Sequence, residues 1–279
     1  MNFVQQPLRF TCENEHLVAI ISRPEQPRAR GVLIVVGGPQ YRVGSHRQFA
    51  LLANHLAGQG TAVMRFDYRG MGDSTGDLRD FEQVTGDLRA AVDAFCGAVD
   101  EVRDVVLWGL CDAASAALFY AHQDPRVSGI VLVNPWVRTV AGEARAYLRH
   151  YYLRRLLNPA PWRKLLRGEF DLWGSAKSLA GNVGRAARAR DRGRAPASLP
   201  ERMAEGLARF DGRVLMILSG NDLTAQEFRD AARQSSRWRG LLGAPRVTRR
   251  ELAQANHTFS TREWRDQAAA WTAEWVGSW

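Results

Sequence analysis

The chain is poor in cysteine, with three in 279 residues, at positions 12, 96 and 111. An odd and widely spaced set excludes a disulfide framework, and no Cys or His spacing suits zinc, so no metal site is expected. Reduced thiols of this kind fit a cytoplasmic protein. No apolar run reaches the ~18 residues that a membrane-spanning helix requires. Residues 1–10 lack the basic start and apolar stretch of a signal peptide, so none is expected. There is no phosphate-binding glycine loop and no internal repeat, and no cofactor is expected. Acidic charge is scarce in one region only. Residues 138–209 hold 16 Lys and Arg against 6 Asp and Glu, whereas the whole chain holds 38 against 29. The rest of the chain is therefore near neutral.

What is present begins with Val105-Val106-Leu107, a buried-strand pattern that runs into Trp108-Gly109-Leu110-Cys111-Asp112-Ala113 and then into a helix pattern from Ala114 to Tyr120. A strand, a small residue, a spacer, a nucleophile, a spacer, a second small residue and a helix make up a nucleophile elbow, with Cys where Ser usually stands. The small residues are needed because the turn is strained and a Cβ two positions away would clash. Such an elbow requires an acid and then a base, each in the loop after a later strand. Arg213 to Leu218 reads as a strand, and Asp222 follows it. Arg246 to Leu252 reads as another, and His257 follows that one, ahead of a last helix over 261–276. The order Cys111, Asp222, His257 is the order required. His257 would take the thiol proton, Asp222 would fix its tautomer, and a thiolate beside an imidazolium at a helix N-terminus should have a depressed pKa.

The apolar run Gly31 to Val36 ends in Gly37-Gly38-Pro39-Gln40. A backbone N–H in this turn, together with that of Asp112, is expected to form the oxyanion hole. Pro39 has no N–H, which leaves Gly38 or Gln40 as the second donor. Arg42, His46 and Arg47 follow the turn and are read as loop structure or an anion contact, outside the catalytic set.

Strands at 31–36, 61–66, 105–109, 129–134, 213–218 and 246–251 alternate with helices near 46–58, 81–98, 113–122, 225–239 and 261–276. A hairpin from segments 8–12 and 17–22 precedes them. The pattern predicts a mostly parallel eight-stranded sheet flanked by helices, and the elbow with its acid and base in order makes the expected fold that of an α/β-hydrolase. Residues 1–137 and 210–279 would form the core, and 138–209 an inserted, basic helical cap. Its aromatics (Tyr147, Tyr151, Tyr152, Trp162, Phe170, Trp173) fall at helical spacing, which suits packing and speaks against nucleic acid as partner. Its charge would steer an anionic substrate, such as a coenzyme A thioester, an acyl carrier protein or an acidic polysaccharide, or keep a lid hydrated. Residues 184–196, dense in Arg, Ala and Gly, read as a loop within it. Trp264, Trp271, Trp275 and Trp279 share one face of the last helix and are expected to dock it on the sheet.

The segment Asp67-Tyr68-Arg69-Gly70-Met71-Gly72-Asp73-Ser74 resembles the Asp-x-Arg-Gly-x-Gly-x-Ser signature of the α/β-hydrolase superfamily, where it is mainly structural. With Gly37-Gly38-Pro39-Gln40-Tyr41-Arg42-Val43-Gly44-Ser45-His46-Arg47 and Gly109 to Ala116, the chain resembles the exosortase A system-associated hydrolase 1 family. That resemblance implies a bacterial hydrolase from gene neighbourhoods for exopolysaccharide production. It names no substrate. Cys at 111 shifts the expected chemistry toward dienelactone-hydrolase-like or acyltransferase-like behaviour. The leading expectation is cleavage of an ester or thioester through a Cys111 acyl-enzyme. The alternatives are an acyltransferase acting on an exopolysaccharide, and a catalytically silent binding protein that kept the fold.

Overall fold

The computed structural model describes residues 2–38, 40–137 and 197–279. The expected cap over 138–196, its aromatic residues, the loop 184–196 and Pro39 lie outside them. The strands are β1 (Phe3–Cys12), β2 (Glu15–Pro24), β3 (Arg30–Val35), β4 (Val63–Asp67), β5 (Asp104–Leu110), β6 (Val127–Val133), β7 (Arg213–Ser219) and β8 (Val247–Leu252). They form one eight-stranded sheet in the order β1-β2-β4-β3-β5-β6-β7-β8. β1 and β2 are a hairpin, β2 pairs antiparallel with β4, and every other pairing is parallel. Strands β3, β5, β6 and β7 are nearly continuous apolar runs because helices cover both of their faces.

The helices are α1 (Gln48–Gly58), α2 (Thr85–Ala98), α3 (Asp112–Tyr120), α4 (Leu199–Arg209), α5 (Leu223–Gln234), α6 (Ser236–Leu242) and α7 (Arg262–Val276). Alternation along the strands decides which helix meets which face. Val32, Ile34, Val106 and Trp108 point into a core shared with α1 and α7, where the Phe49 and Trp108 rings meet edge to face at 5.8 Å. The intervening positions face α2 and α3. Gly31 has no side chain because the Phe95 ring of α2 comes so close that a Cβ would lie 2.6 Å from it.

Three details differ from the sequence expectation. The opening hairpin is longer, at ten residues per strand. Its outer strand is an exposed edge that carries little apolar alternation. The single helix expected over 225–239 is two, because Ser235 is extended and its side chain caps α6 by accepting from the Trp238 N–H. Helix α4, expected within the cap, packs on the core instead. Gly206 lies against the Leu118 carbonyl so closely that a Cβ would sit 2.2 Å from it. The Trp238 Nε1–H donates to the Pro200 carbonyl at 3.0 Å, and Arg246 donates to the Leu207 carbonyl at 2.8 Å. The compact core therefore runs through 137 and resumes at Pro200.

The tryptophans of α7 dock as expected. Trp275 is buried, and Trp264 and Trp271 pack against the same core; Trp279 packs there too, but it lies beyond the end of the helix at Val276 and not on its face as expected. Trp279 is also covered by the guanidinium of Arg30, 3.5 Å from the ring centroid.

Candidate active site

β5, β7 and β8 run parallel, so the loops that follow them open at one edge of the sheet, where sites of such folds collect. Cys111, Asp222 and His257 all lie in these loops.

Cys111 stands between β5 and α3 with φ 64° and ψ −123°. A non-glycine residue there stores about 1–3 kcal/mol of backbone strain, which the surroundings must offset. The Cys111 N–H donates to the Val133 carbonyl at 2.9 Å, and its carbonyl accepts from Ala114 and Trp136, both at 3.1 Å. The elbow is thus fastened to the end of β6. Gly109 is obligatory, because a Cβ there would sit 2.6 Å from the backbone of Ala113 and Ala114.

Asp222 and His257 are in contact, with His257 Nδ1 3.0 Å from Asp222 Oδ2. Asp222 is also the N-cap of α5 and accepts from the Ala225 N–H at 3.1 Å and the Thr224 N–H at 3.3 Å. Burial alone would raise its pKa. The hydrogen bond and positive charge of His257, with the two backbone donors, outweigh that and hold the carboxyl below its ordinary range. An ionised carboxylate only accepts, so Nδ1 carries the proton and Nε2 is the basic nitrogen. The Asp222 side chain is 6% exposed and that of His257 33%, so the pair opens outward through the imidazole.

A support for His257 was absent from the sequence expectation. Asn134, fully buried with φ 44°, follows β6. Its amide donates to Ser219 Oγ at 2.9 Å and to the His257 carbonyl at 3.2 Å, and its Oδ1 accepts from the Ser219 N–H at 2.8 Å. Ser219 Oγ in turn donates to the Asn256 carbonyl at 3.0 Å. The chain neighbours Val133 and Asn134 therefore hold the elbow on one side and the histidine loop on the other. The available signal was a lone amide residue ending an apolar strand.

The expected oxyanion donors occupy an unexpected arrangement. The Gly38 N–H donates to Asp112 Oδ2 at 2.8 Å, and the Ala113 N–H to Asp112 Oδ1 at 3.0 Å. Gln40 is engaged through its side chain, whose Oε1 accepts from the Ser45 N–H at 3.0 Å. Burial raises the Asp112 pKa against the pull of the Gly38, Ala113 and own-backbone N–H groups. Arg42 pairs with buried Asp67 and with Asp73, which makes it part of the loop scaffold. Among the described residues no cluster of His, Cys, Asp or Glu suits a metal ion, and no helix is long and apolar enough to cross a membrane.

Comparison with known proteins agrees with this architecture. The family model described as serine aminopeptidase, S33, matches residues 27–194, more than half of the chain. The quorum-quenching protein AidA of Acinetobacter baumannii (strain MDR-ZJ06) is 28% identical over 144 residues, which cover 48% of this chain and 46% of that protein. The match thus spans about half of either. Among solved structures, the Pyrococcus furiosus esterase Pf2001 superposes with a TM-score of 0.68 at 15% identity, covering 99% of this chain and 92% of its own. An α/β serine hydrolase homologue from Coxiella burnetii gives 0.56 at 15% identity, covering 97% and 95%. XC6422 from Xanthomonas campestris, an α/β serine hydrolase without a lid, gives 0.58 at 13% identity, covering 99% and 94%. At these identities the structures speak for the fold, which is that of an α/β hydrolase.

Proposed function

The chain belongs to the family described as serine aminopeptidase, S33, and from that premise we propose that it cleaves an ester or thioester through an acyl-enzyme on Cys111, with His257 as base and Asp222 as its orienting partner. The observation that carries the reading is the elbow, where a cysteine takes a strained positive φ between a buried strand and a helix N-terminus. Proteins keep such strain where the surrounding structure, and often the function, demands it.

The chemistry follows from the groups present. His257 Nε2 accepts the thiol proton while Asp222 stabilises the imidazolium that forms. Sγ attacks the acyl carbon, and backbone N–H groups at the elbow receive the developing oxyanion. His257 returns the proton to the leaving alcohol or thiol, which departs and leaves the acyl group on Sγ as a thioester. Water, deprotonated by the same imidazole, then releases the acid. A thioester intermediate also reacts with hydroxyl and amine acceptors, so transfer to a sugar hydroxyl of an exopolysaccharide is the second reading. It is favoured by cysteine in place of serine and by the resemblance of the loops 37–47 and 109–116 to the exosortase-associated family. Either way the substrate is a small or carrier-bound acyl compound.

The test is iodoacetamide alkylation of Cys111 against pH, in wild type and His257→Ala, beside a panel of short p-nitrophenyl esters and acyl-coenzyme A. Labelling with an apparent pKa below that of an ordinary thiol, abolished in His257→Ala and accompanied by turnover, is expected. Slow labelling that ignores His257, without turnover, would leave a silent binding protein.

A further inference from the structure

We propose that Asp112 is the resident occupant of the oxyanion site, its carboxylate holding the Gly38 N–H that a substrate carbonyl must take over. The inference rests on the reading of Cys111 as nucleophile. A hole of this kind is built from the N–H of the residue after the nucleophile and an N–H from the loop after β3. In this chain the second of these donors, the Gly38 N–H, and the next amide along the elbow, the Ala113 N–H, both converge on a side chain of the protein itself. Gly38 N–H meets Asp112 Oδ2 at 2.8 Å and Ala113 N–H meets Oδ1 at 3.0 Å.

The pocket for this carboxylate is built on the opposite loop. A Cβ on Gly37 would lie 2.1 Å from Asp112 Oδ1 and 2.9 Å from the Ala113 nitrogen. Any side chain at 37 would therefore expel the carboxylate, and the Gly-Gly turn accommodates it. Helix N-terminal aspartates ordinarily cap their own helix in water. Asp112 instead turns one oxygen across to another loop and is half-buried there. A carboxylate is planar and spreads its charge over two oxygens, but like the tetrahedral oxyanion it offers the Gly38 N–H an anionic acceptor, so the donor is already engaged in the resting protein.

The consequence is a competition. A substrate oxygen gains the Gly38 N–H only as the carboxylate leaves it, so apparent reactivity falls by the fraction of molecules in which the site stands open. An ionised acceptor holds an N–H about twice as strongly as a neutral one, so a neutral side chain at 112 should yield the site more readily.

The experiment compares kcat/KM for p-nitrophenyl acetate in wild type, Asp112→Asn and Asp112→Ser from the carboxylate range up to the thiol range of pH, with melting curves alongside. Both variants should be faster by about tenfold or more. The ratio of variant to wild type should shrink as pH falls and Asp112 becomes protonated. Cys111 alkylation against pH in each variant separates the effect of the lost charge on the thiol from the opening of the oxyanion site. A second measurement needs no variant. The Gly38 amide resonance of wild type should titrate with the Asp112 carboxyl. It should stop doing so once a trifluoromethyl ketone is bound, with Sγ joined to the carbonyl carbon, the C=O π bond opened to an oxyanion and the thiol proton on His257. Variants that melt like wild type and are no faster, or a Gly38 amide that still follows Asp112 in the adduct, would overturn the inference while Cys111 stands. A wild type that neither turns over nor alkylates in a His257-dependent way would overturn the nucleophile itself, and this inference with it.

Discussion

Two carboxylates of the candidate site are pushed in opposite directions. Asp222 is held below its ordinary range by His257 and two backbone N–H groups, and Asp112 is raised by burial. Environments that drive titratable groups apart are how one site keeps one carboxylate charged and another poised to change. For Asp222 the sign of the linkage is fixed by the lowered folded-state pKa. Its contribution to stability is present above the ordinary carboxylate range and is lost as pH falls through the lowered value. Asp222→Asn should therefore flatten the acid limb of the curve of melting temperature against pH. It should also cost more in rate than in stability. An amide can donate to Nδ1 and select the wrong tautomer, so a loss on the order of 10²–10⁴ in kcat/KM is expected with KM little changed. Equal rates for Asp222→Asn and wild type would remove Asp222 from the catalytic set.

At the scale of elements, the signature loop after β4 is a clamp. Arg69, 2% exposed, donates to Asp87 of α2 through its backbone N–H at 2.9 Å, Nε at 3.0 Å and Nη2 at 2.8 Å, and it also pairs with Glu13 in the β1–β2 turn. One guanidinium thus joins three elements that are distant in the chain. Asp87→Ala leaves a buried cation without its main partner and should destabilise by about 3–5 kcal/mol, measured by urea unfolding. A change below 1 kcal/mol, roughly the value of an exposed pair, would show that Glu13 alone suffices. Arg69 and Asp87 were legible only as a family-like string and a helical Asp, because their pairing depends on a fold that brings α2 against the loop. Cys111 was legible for the contrary reason. A strained turn between a strand and a helix tolerates so few residue types that Gly109 and Ala113 announce it locally. Asp222 and His257 were found by their place after strands β7 and β8. The carboxylate of Asp112 on Gly38 was not visible, since a side-chain rotamer and a close approach between loops leave no periodic trace. The amide of Asn134 was missed likewise. The β1 edge and the break at Ser235 escaped because exposed strands and short helices carry weak apolar patterns.

For the whole molecule the distribution of charge outweighs its total. Helix α4 contributes two arginines and two glutamates, which balance, and three of them are in ion pairs: Arg202 with Glu82, and Arg209 with Glu205, which also pairs with Arg237 of α6. That leaves residues 138–196 with 14 Lys and Arg against 4 Asp and Glu, a surplus larger than the +9 of the entire chain. A folded core close to neutral exerts little long-range pull on an anion, whereas a segment of this charge attracts one over about a Debye length, ~10 Å at 0.1 M salt. If that field serves the reaction, its effect belongs to encounter and must depend on the substrate's own charge. Raising salt from about 0.05 to 0.5 M should lower kcat/KM for an acyl-coenzyme A severalfold while leaving that for a neutral p-nitrophenyl ester nearly unchanged. The neutral ester is the control for effects of salt on Cys111, His257 and the core, which both substrates share. Parallel salt curves for the two would show that the basic surplus keeps its segment hydrated and takes no part in choosing the substrate.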